Sequence, residues 1–285
     1  MSVDQRLTLS RPLFADPHLQ ARGHILRRQL LVRSRLQAVR LEARRHWGEL
    51  AATAGSGALQ RQGADPSQAS FRLTPALPRI WDLITAGVLP QTVLEITGWD
   101  AIRPLHFYLL FKPPGAPMTA WHRDKDALPT TAPTVTCWVP LSDVREDSGL
   151  VYAEGTAALT PEEGMAEHDG AALLERVGAP LAPTGRVRVG DVDFHDGKIW
   201  HCGQPNKMGV NRDVIGICYV PADACFEPDP PGFDGESGRL MRRQLQSLYF
   251  QDRVPGDLID GPAHPLISRG SLADVCSATT DGCPD

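Results

Sequence analysis

"WHRDKDAL" (residues 121–128) admits two incompatible readings. As a His-Arg-Asp triplet it looks like the catalytic loop of a protein kinase, with Asp124 as the base. Alternatively Arg123 is a spacer, and His122 and Asp124 are two metal ligands one residue apart. On a strand or at its end, residues i and i+2 point the same way, so one ion could be bitten by both. The kinase reading needs Asn five residues after the Asp, where this chain has Pro129, and a nearby Asp-Phe-Gly. The nearest approximation, Asp193-Phe194-His195, lacks the Gly and lies far downstream, and neither a Gly-rich phosphate loop nor a Val-Ala-Ile-Lys strand precedes it. The kinase reading therefore fails.

The metal reading needs a third, distant ligand. His168 lies in the acidic stretch "PEEGMAEHDG", which reads as exposed surface, whereas His195 and His201 flank the turn "HDGKIWHCG". His201 is preferred because Asn206 follows five residues on and Arg212 eleven on. Two imidazoles and a carboxylate on one face of a metal leave positions opposite for a co-substrate and oxygen. An Arg beginning the next strand can offer its planar fork to a carboxylate.

The surrounding pattern suits a barrel. "LHFYLLFK" (105–112) alternates Leu105, Phe107, Leu109 and Phe111 with His106, Tyr108, Leu110 and Lys112. "TVTCWVPLS" (134–142) sets Val135, Cys137, Val139 and Leu141 against Thr134, Thr136 and Trp138. One apolar and one mixed face predict strands around a wet interior. "RVRVGDVDFHDG" (186–197) and "RDVIGICYV" (212–220) add two strands. Upstream, a helix is expected over 17–54, with Leu26, Leu30, Val39 and Leu41 as a ragged stripe and the rest solvated. A contact with an anionic partner or another subunit is the minor alternative. A polar connection (58–73), a short helix (75–89), a helix near 238–249 and a small, polar tail beyond Ser268 complete the expectation.

Composition sets bounds. The 285 residues, 42% hydrophobic and 22% charged, can bury a full core. The 26 Gly and 25 Pro argue for a loop-rich β architecture over a helix bundle. A net charge of −5 gives no case for nucleic-acid binding, although residues 21–45 hold eight Arg against one Glu. Six Cys without a CxxC pair point to reduced thiols, and neither a signal-peptide core nor a bilayer-length apolar run is evident. These features predict a cytoplasmic protein with no membrane partner.

With these residues in place, the chain resembles the phytanoyl-CoA dioxygenase family of Fe(II)/2-oxoglutarate oxygenases. "WHRD" is similar to that family's His-x-Asp. "TCWVPLSDVREDSGLVYAEGT" (136–156) resembles its hydrophobic strand, Pro-Leu, acidic and Gly segment. "HCGQPNKMGVNRDVIGICYV" (201–220) resembles its closing His, Asn, Arg and Tyr block. The resemblance covers roughly residues 95–225. It implies a mainly β fold with flanking helices and a double-stranded β-helix (jelly-roll, cupin-like) core. The division expected is one oxygenase domain over 1–285, with a mainly helical part (1–94), the core (95–225) and a C-terminal helix and tail (226–285).

The resemblance also implies iron held by His122, Asp124 and His201, with Arg212 on the distal carboxylate of 2-oxoglutarate. Oxygen would be the co-oxidant, a small molecule the substrate, and succinate and CO2 the co-products. The chain departs from the family at Glu154-Gly155-Thr156, where Gly-Ser is usual, and at Val214, where Ser or Thr would share the carboxylate. Thr136, Tyr108 and Lys112 are candidates to help Arg212, and Trp121, Trp138 and Asn206 to line the substrate pocket. An intact Asp124 implies a hydrogen-abstraction outcome such as hydroxylation, not halogenation. The insert 157–184 is a candidate lid. Two alternatives stay open: a non-catalytic ligand-binding or sensor module on the same barrel, and a cupin-type metalloenzyme that does not use 2-oxoglutarate.

Overall fold

A computed structural model describes residues 13–53, 68–159, 174–175, 178–231 and 236–270. His168, Cys276, Cys283, residues 1–12, the connection 58–67, most of the insert 157–184 and the tail from 271 lie outside the described residues.

Two sheets face each other. The larger has the order β1-β7-β4-β9-β3-β10, with β2 also on β3; the smaller has the order β6-β5-β8. Their strands are β1 (His24–Arg27), β2 (Gln68–Phe71), β3 (Ala101–Lys112), β4 (Val135–Pro140), β5 (Leu150–Ala153), β6 (Leu181–Pro183), β7 (Val192–Asp196), β8 (His201–Gly203), β9 (Arg212–Pro221) and β10 (Ile267–Ser268). All pairings are antiparallel. This is the jelly-roll architecture expected.

The alternation read from the sequence decides which face does what. Phe107, Leu109 and Phe111 of β3, Val135, Cys137 and Val139 of β4, and Ile215, Ile217 and Tyr219 of β9 form one buried cluster with the helices on the outside. The mixed face looks inward, where Leu110, Trp138 and Val214 meet Leu150 and Tyr152 of the smaller sheet. Leu105 departs from the expected pattern. A bulge between Pro104 and His106 shifts the register, and Leu105 packs with Cys218, Val220 and Phe226 instead.

The N-terminal part differs from one long helix. Helix α1 (Pro17–Arg22) starts at Asp16, whose side chain accepts from the backbone of His18 and Leu19, and ends at Gly23 with φ +85°. The chain then lays β1 along β7 before α2 (Arg33–Thr53) begins. On α2 the buried stripe is Leu36, Val39 and Ala43, while Leu41 is exposed. The segment expected as one helix over 75–89 is two, α3 (Pro78–Thr85) and α4 (Val88–Thr97), separated at Gly87 with φ +78°. The C-terminal helix, α5 (Glu236–Tyr249), forms where expected and packs on the short 3-10 turn at Asp124–Ala127. Its buried Arg242 donates to the carbonyls of Asp126 and Pro228.

The arginines of α2 have partners within the chain. Arg40 Nε reaches Asp213 Oδ2 at 2.6 Å, and Arg44 Nη2 reaches both carboxylate oxygens at 2.7 Å. Arg33 pairs with Asp143, and Arg35 donates to the carbonyl of Asp82. Asp213 is wholly buried, so its charge depends on the two guanidiniums, which are themselves about two-fifths exposed. The double variant Arg40→Ala/Arg44→Ala should lose about 2–3 kcal/mol of stability, the low end for leaving a buried charge unpaired. Adding Asp213→Asn should recover part of that loss in a thermal or denaturant melt.

Candidate metal centre

His122 and His201 are direct backbone partners. His122 N donates to His201 O at 2.9 Å, and His201 N returns the bond to His122 O at 2.9 Å. This pairing places two imidazoles side by side, with ring centroids 4.3 Å apart. Beyond His122 the chain turns into the 3-10 segment, and Asp124 brings Oδ1 to 3.7 Å from His122 Nε2 and 3.6 Å from His201 Nε2. The three ligand atoms lie within 4.8 Å of one another, the one such His/Asp/His group found among the described residues.

The donors are set up for a cation. Each imidazole gives its Nδ1–H to a carbonyl two residues earlier, His122 to Ala120 at 2.8 Å and His201 to Ile199 at 3.2 Å. Each Nε2 lone pair therefore points at Asp124 and the space beside it. Burial and the neighbouring His122 push His201 down to about 3, which keeps it neutral and able to ligate. Burial works to raise Asp124, but the imidazoles around it, His201 first, and the hydrogen bond from His195 outweigh it and hold the carboxyl well below its ordinary value. His201 is buried, whereas the side chain of His122 is 40% exposed, so the centre opens to solvent on that side. The donor set and its open side suit Fe(II).

Arg212 begins β9 and is fully buried. Its Nη1 donates to the carbonyls of Ser148, Gly149 (3.4 Å) and Gln204 (3.1 Å). Its Nη2 lies 3.2 Å from where a Cβ on Gly203 would stand, which places the guanidinium beside the strand that carries His201. Lys112 is its cross-strand partner on β3 and is also buried, donating to Gln204 O at 3.4 Å. Further along the same inner face come the pairs Leu110–Val214 and Tyr108–Gly216. Burial and the charge of Asp124 push the Tyr108 phenol well above its ordinary value, so it stays a neutral donor.

Other expected site residues are placed differently. Thr136 sits on the inner face as expected, but its hydroxyl donates to Asp124 Oδ2 at 2.7 Å. Asn206, expected in the substrate pocket, is completely buried in the turn between β8 and β9. Its amide donates to Lys112 O and Val210 O, and its Oδ1 accepts from Met208 N. Trp138, also expected there, packs with Leu110, Tyr152 and Val214 in the core between the sheets. Trp121, expected in the substrate pocket, is half-buried against Trp200 and Leu174. Arg123 turns away from the centre as a spacer should, pairing with Asp126 at 2.8 Å and lying over the Trp200 ring. At the departures from the family pattern, Thr156 Oγ1 accepts from Trp200 N and Glu154 Oε1 lies 3.3 Å from His24 Nε2.

Sequence reasoning missed the partners behind Asp124. His195 Nε2 lies 3.1 Å from Asp124 Oδ2, and its Nδ1 lies 2.9 Å from Tyr152 Oη. Tyr152 donates to Asp193 Oδ1 at 2.5 Å. Burial pushes His195 down, but its hydrogen bonds to Asp124 and Asp193 prevail and raise it to about 9. The available signal was the spacing Asp193-x-His195 on one strand, which sends both side chains inward.

A sequence model of the phytanoyl-CoA dioxygenase family (PhyH) matches residues 19–214. The chain belongs to this family. Its members are oxygenases dependent on Fe(II), 2-oxoglutarate and O2. Among solved structures, the chain is similar to the non-heme α-ketoglutarate-dependent carbocyclase SnoK from nogalamycin biosynthesis, with 22% identity, a TM-score of 0.69, and coverage of 88% of this chain and 94% of that one. The epimerase SnoN from the same biosynthesis gives 20% identity and the same TM-score and coverage. EctD from S. alaskensis, solved with 2-oxoglutarate and 5-hydroxyectoine, gives 14% identity and a TM-score of 0.60 over 76% of this chain and 83% of that one. These structures share the fold. No curated protein sequence matches at a significant level. Among the described residues, no helix is long and apolar enough to cross a membrane.

In this PhyH-family barrel, Gly216 has a specific steric role. A Cβ there would fall inside the Tyr108 ring. Gly216→Ala should displace Tyr108 and cost about 1–3 kcal/mol, the usual range for overpacking. The double variant Gly216→Ala/Tyr108→Ala should melt above the single one.

Proposed function

We propose that this chain is a hydroxylase, or another oxidase acting by hydrogen abstraction, for a small-molecule substrate, and that it converts 2-oxoglutarate to succinate and CO2. The observation that carries the reading is the His122–His201 backbone pair with Asp124 Oδ1 between the two Nε2 atoms, one strand away from the paired cations Lys112 and Arg212. His122, Asp124 and His201 are the ligands for Fe(II). When bound, iron and 2-oxoglutarate supply with O2 the oxidising power that removes hydrogen from the substrate.

The protein's own residues bind and orient. Arg212 and Lys112 receive the distal carboxylate of 2-oxoglutarate, and a guanidinium already fixed by three carbonyls has little orientational freedom to lose. Val214, paired with Leu110 next to this cation pair, offers no hydroxyl, so the carboxylate would be left to the two cations. Tyr108, on the same inner face of β3 as Lys112, would be a neutral donor available to the co-substrate. Thr136 acts through Asp124. Trp121, which precedes His122 in the chain, packs with Arg123 on Trp200, and Asn206 shapes the turn that delivers Arg212.

The chain works as one oxygenase unit. The arginines of α2 clamp the residue next to Arg212, and Arg242 of α5 clamps the turn that carries Asp124. Four described cysteines, all free, support a reducing cytoplasmic setting. Solved neighbours bind small molecules, including nogalamycin RO in one SnoN structure and hygromycin B in HygX from Streptomyces hygroscopicus, which supports a small-molecule substrate.

Anaerobic addition of Fe(II) and then 2-oxoglutarate should produce a weak visible metal-to-ligand band. Arg212→Ala should weaken 2-oxoglutarate binding by about 1.5–3 kcal/mol, roughly 10- to 100-fold, with Fe(II) affinity nearly unchanged. Iron binding without the band would favour the cupin-type enzyme. A band without succinate release in the presence of O2 and a metabolite panel would favour the sensor module.

His122→Ala and Asp124→Ala should each abolish tight Fe(II) binding while the fold persists, as read by equilibrium dialysis and circular dichroism. Retention of Fe(II) by both variants would place the metal elsewhere.

A further inference from the structure

The two oxygens of Asp124 have different surroundings. Oδ1 faces the Nε2 atoms of His122 and His201. Oδ2 accepts from Thr136 Oγ1 at 2.7 Å and faces His195 Nε2 at 3.1 Å. A carboxylate can only accept, so His195 Nε2 is the donor.

His195 is itself held from behind. Its Nδ1 meets Tyr152 Oη at 2.9 Å, and Tyr152 donates to Asp193, which is wholly buried. His24 stacks on Tyr152 with centroids 4.2 Å apart and planes at 16°, and its Nδ1 lies 3.9 Å from Asp193 Oδ2. His24 and His195 are cross-strand partners of β1 and β7. The N-terminal strand therefore closes the back of the network, and Glu154 meets His24 near the surface.

We propose that His195, locked by Tyr152 and Asp193, is a positioning residue that makes Asp124 a one-oxygen ligand. The inference rests on the Fe(II) site proposed above. An ion with three protein donors on one face keeps three positions for co-substrates. If Asp124 swung to present both oxygens, it would take one of those positions. Two donors on Oδ2 oppose that swing, because turning Oδ2 toward the ion breaks both hydrogen bonds in a buried setting. The lock also keeps His195 from becoming a ligand, since its Nε2 proton is directed at Asp124 and its Nδ1 is engaged with Tyr152.

Co(II) is the test probe, because its visible spectrum reports coordination number as well as affinity. In the wild type, Co(II) should bind with a spectrum that changes on adding 2-oxoglutarate. His195→Phe should weaken Co(II) binding about 10- to 100-fold, as loss of a partner behind a ligand commonly does, and alter the spectrum. His195→Gln, which keeps a donor near the same position, should stay close to wild type. Tyr152→Phe keeps the shape, removes the hydroxyl, and should fall between the two.

Wild-type affinity and spectrum in His195→Phe would overturn the positioning role and leave the metal site standing. Equal losses in His195→Phe and His195→Gln, tracking equal drops in melting temperature, would make the network structural only and overturn it as well. Should His195→Phe fail to fold, the Tyr152→Phe spectrum decides alone: a shift supports the lock, and an unchanged one overturns it. Failure of the wild type to bind Co(II) or Fe(II) would instead strike the functional reading itself.

Discussion

Strand β9 joins the rest of the molecule through its strict two-residue alternation. Arg212 points inward and its neighbour Asp213 outward, so one dipeptide serves both faces of the larger sheet. Inside, Arg212 sits beside Lys112 and within reach of the strand that carries His201. Outside, Asp213 anchors Arg40 and Arg44 of α2. Slipping β9 by one residue would bury a carboxylate at the cation site and turn a guanidinium toward the helix arginines, so the register is held by charge as well as by hydrophobic pattern. Seven residues beyond Arg212, Tyr219 donates to Ile84 O at 2.6 Å and fixes the outer side of the same strand to α3.

The inner face concentrates charge that could not survive there unpaired. Asp193 and His195 are buried and Asp124 is partly so, and the hydrogen bonds among this network offset the cost of taking its members from water. The arrangement is directional: one oxygen of Asp124 is fully engaged by Thr136 and His195, and the other is turned to the two imidazoles. The proposed metal ligands thus inherit their orientation from a polar network, while the hydrophobic core lies on the opposite face of the sheet. This separation lets the outer clusters secure the fold without specifying the chemistry inside.

Much of this was legible in the sequence because it is periodic. The alternation in β3, β4 and β9 gave the faces, and the order His122, Asp124, His201, Arg212 pointed to a site the structure does assemble. Arg123 as a spacer, and His201 in place of His195 within the compact His/Asp/His group, were readable from spacing. What stayed hidden depended on contacts between distant segments. Nothing local says that Arg40 and Arg44 meet Asp213, so the arginines of α2 read as solvated. Gly23 and the edge pairing of β1 divided what looked like one helix, because the pairing energy comes from β7, some 170 residues away in sequence. The family match begins at residue 19, far upstream of the region whose motifs are recognisable, since β1 and α2 contribute packing and clamps. Asn206 and Trp138 were misplaced for a related reason: residue type suggested a pocket, but neighbours claimed the amide for a turn and the indole for the inter-sheet core.

The asymmetry between the two imidazoles sets the direction of approach. His201 is enclosed by β5 and by the network around Tyr152, with ring centroids 5.7 Å apart, and is buried. His122 belongs to a single backbone bridge at the edge of the smaller sheet and leaves its ring two-fifths exposed. On the proposed reading a substrate would therefore enter past His122. In the proposed reaction 2-oxoglutarate would lie at the other, cationic end toward Arg212 and Lys112. Entry at one end and the keto-acid at the other separate the two ligands by charge. An acidic substrate would be drawn to the same cations as 2-oxoglutarate and compete with it, whereas a neutral or basic one would not. On the proposed reading, a substrate without a carboxylate avoids that competition.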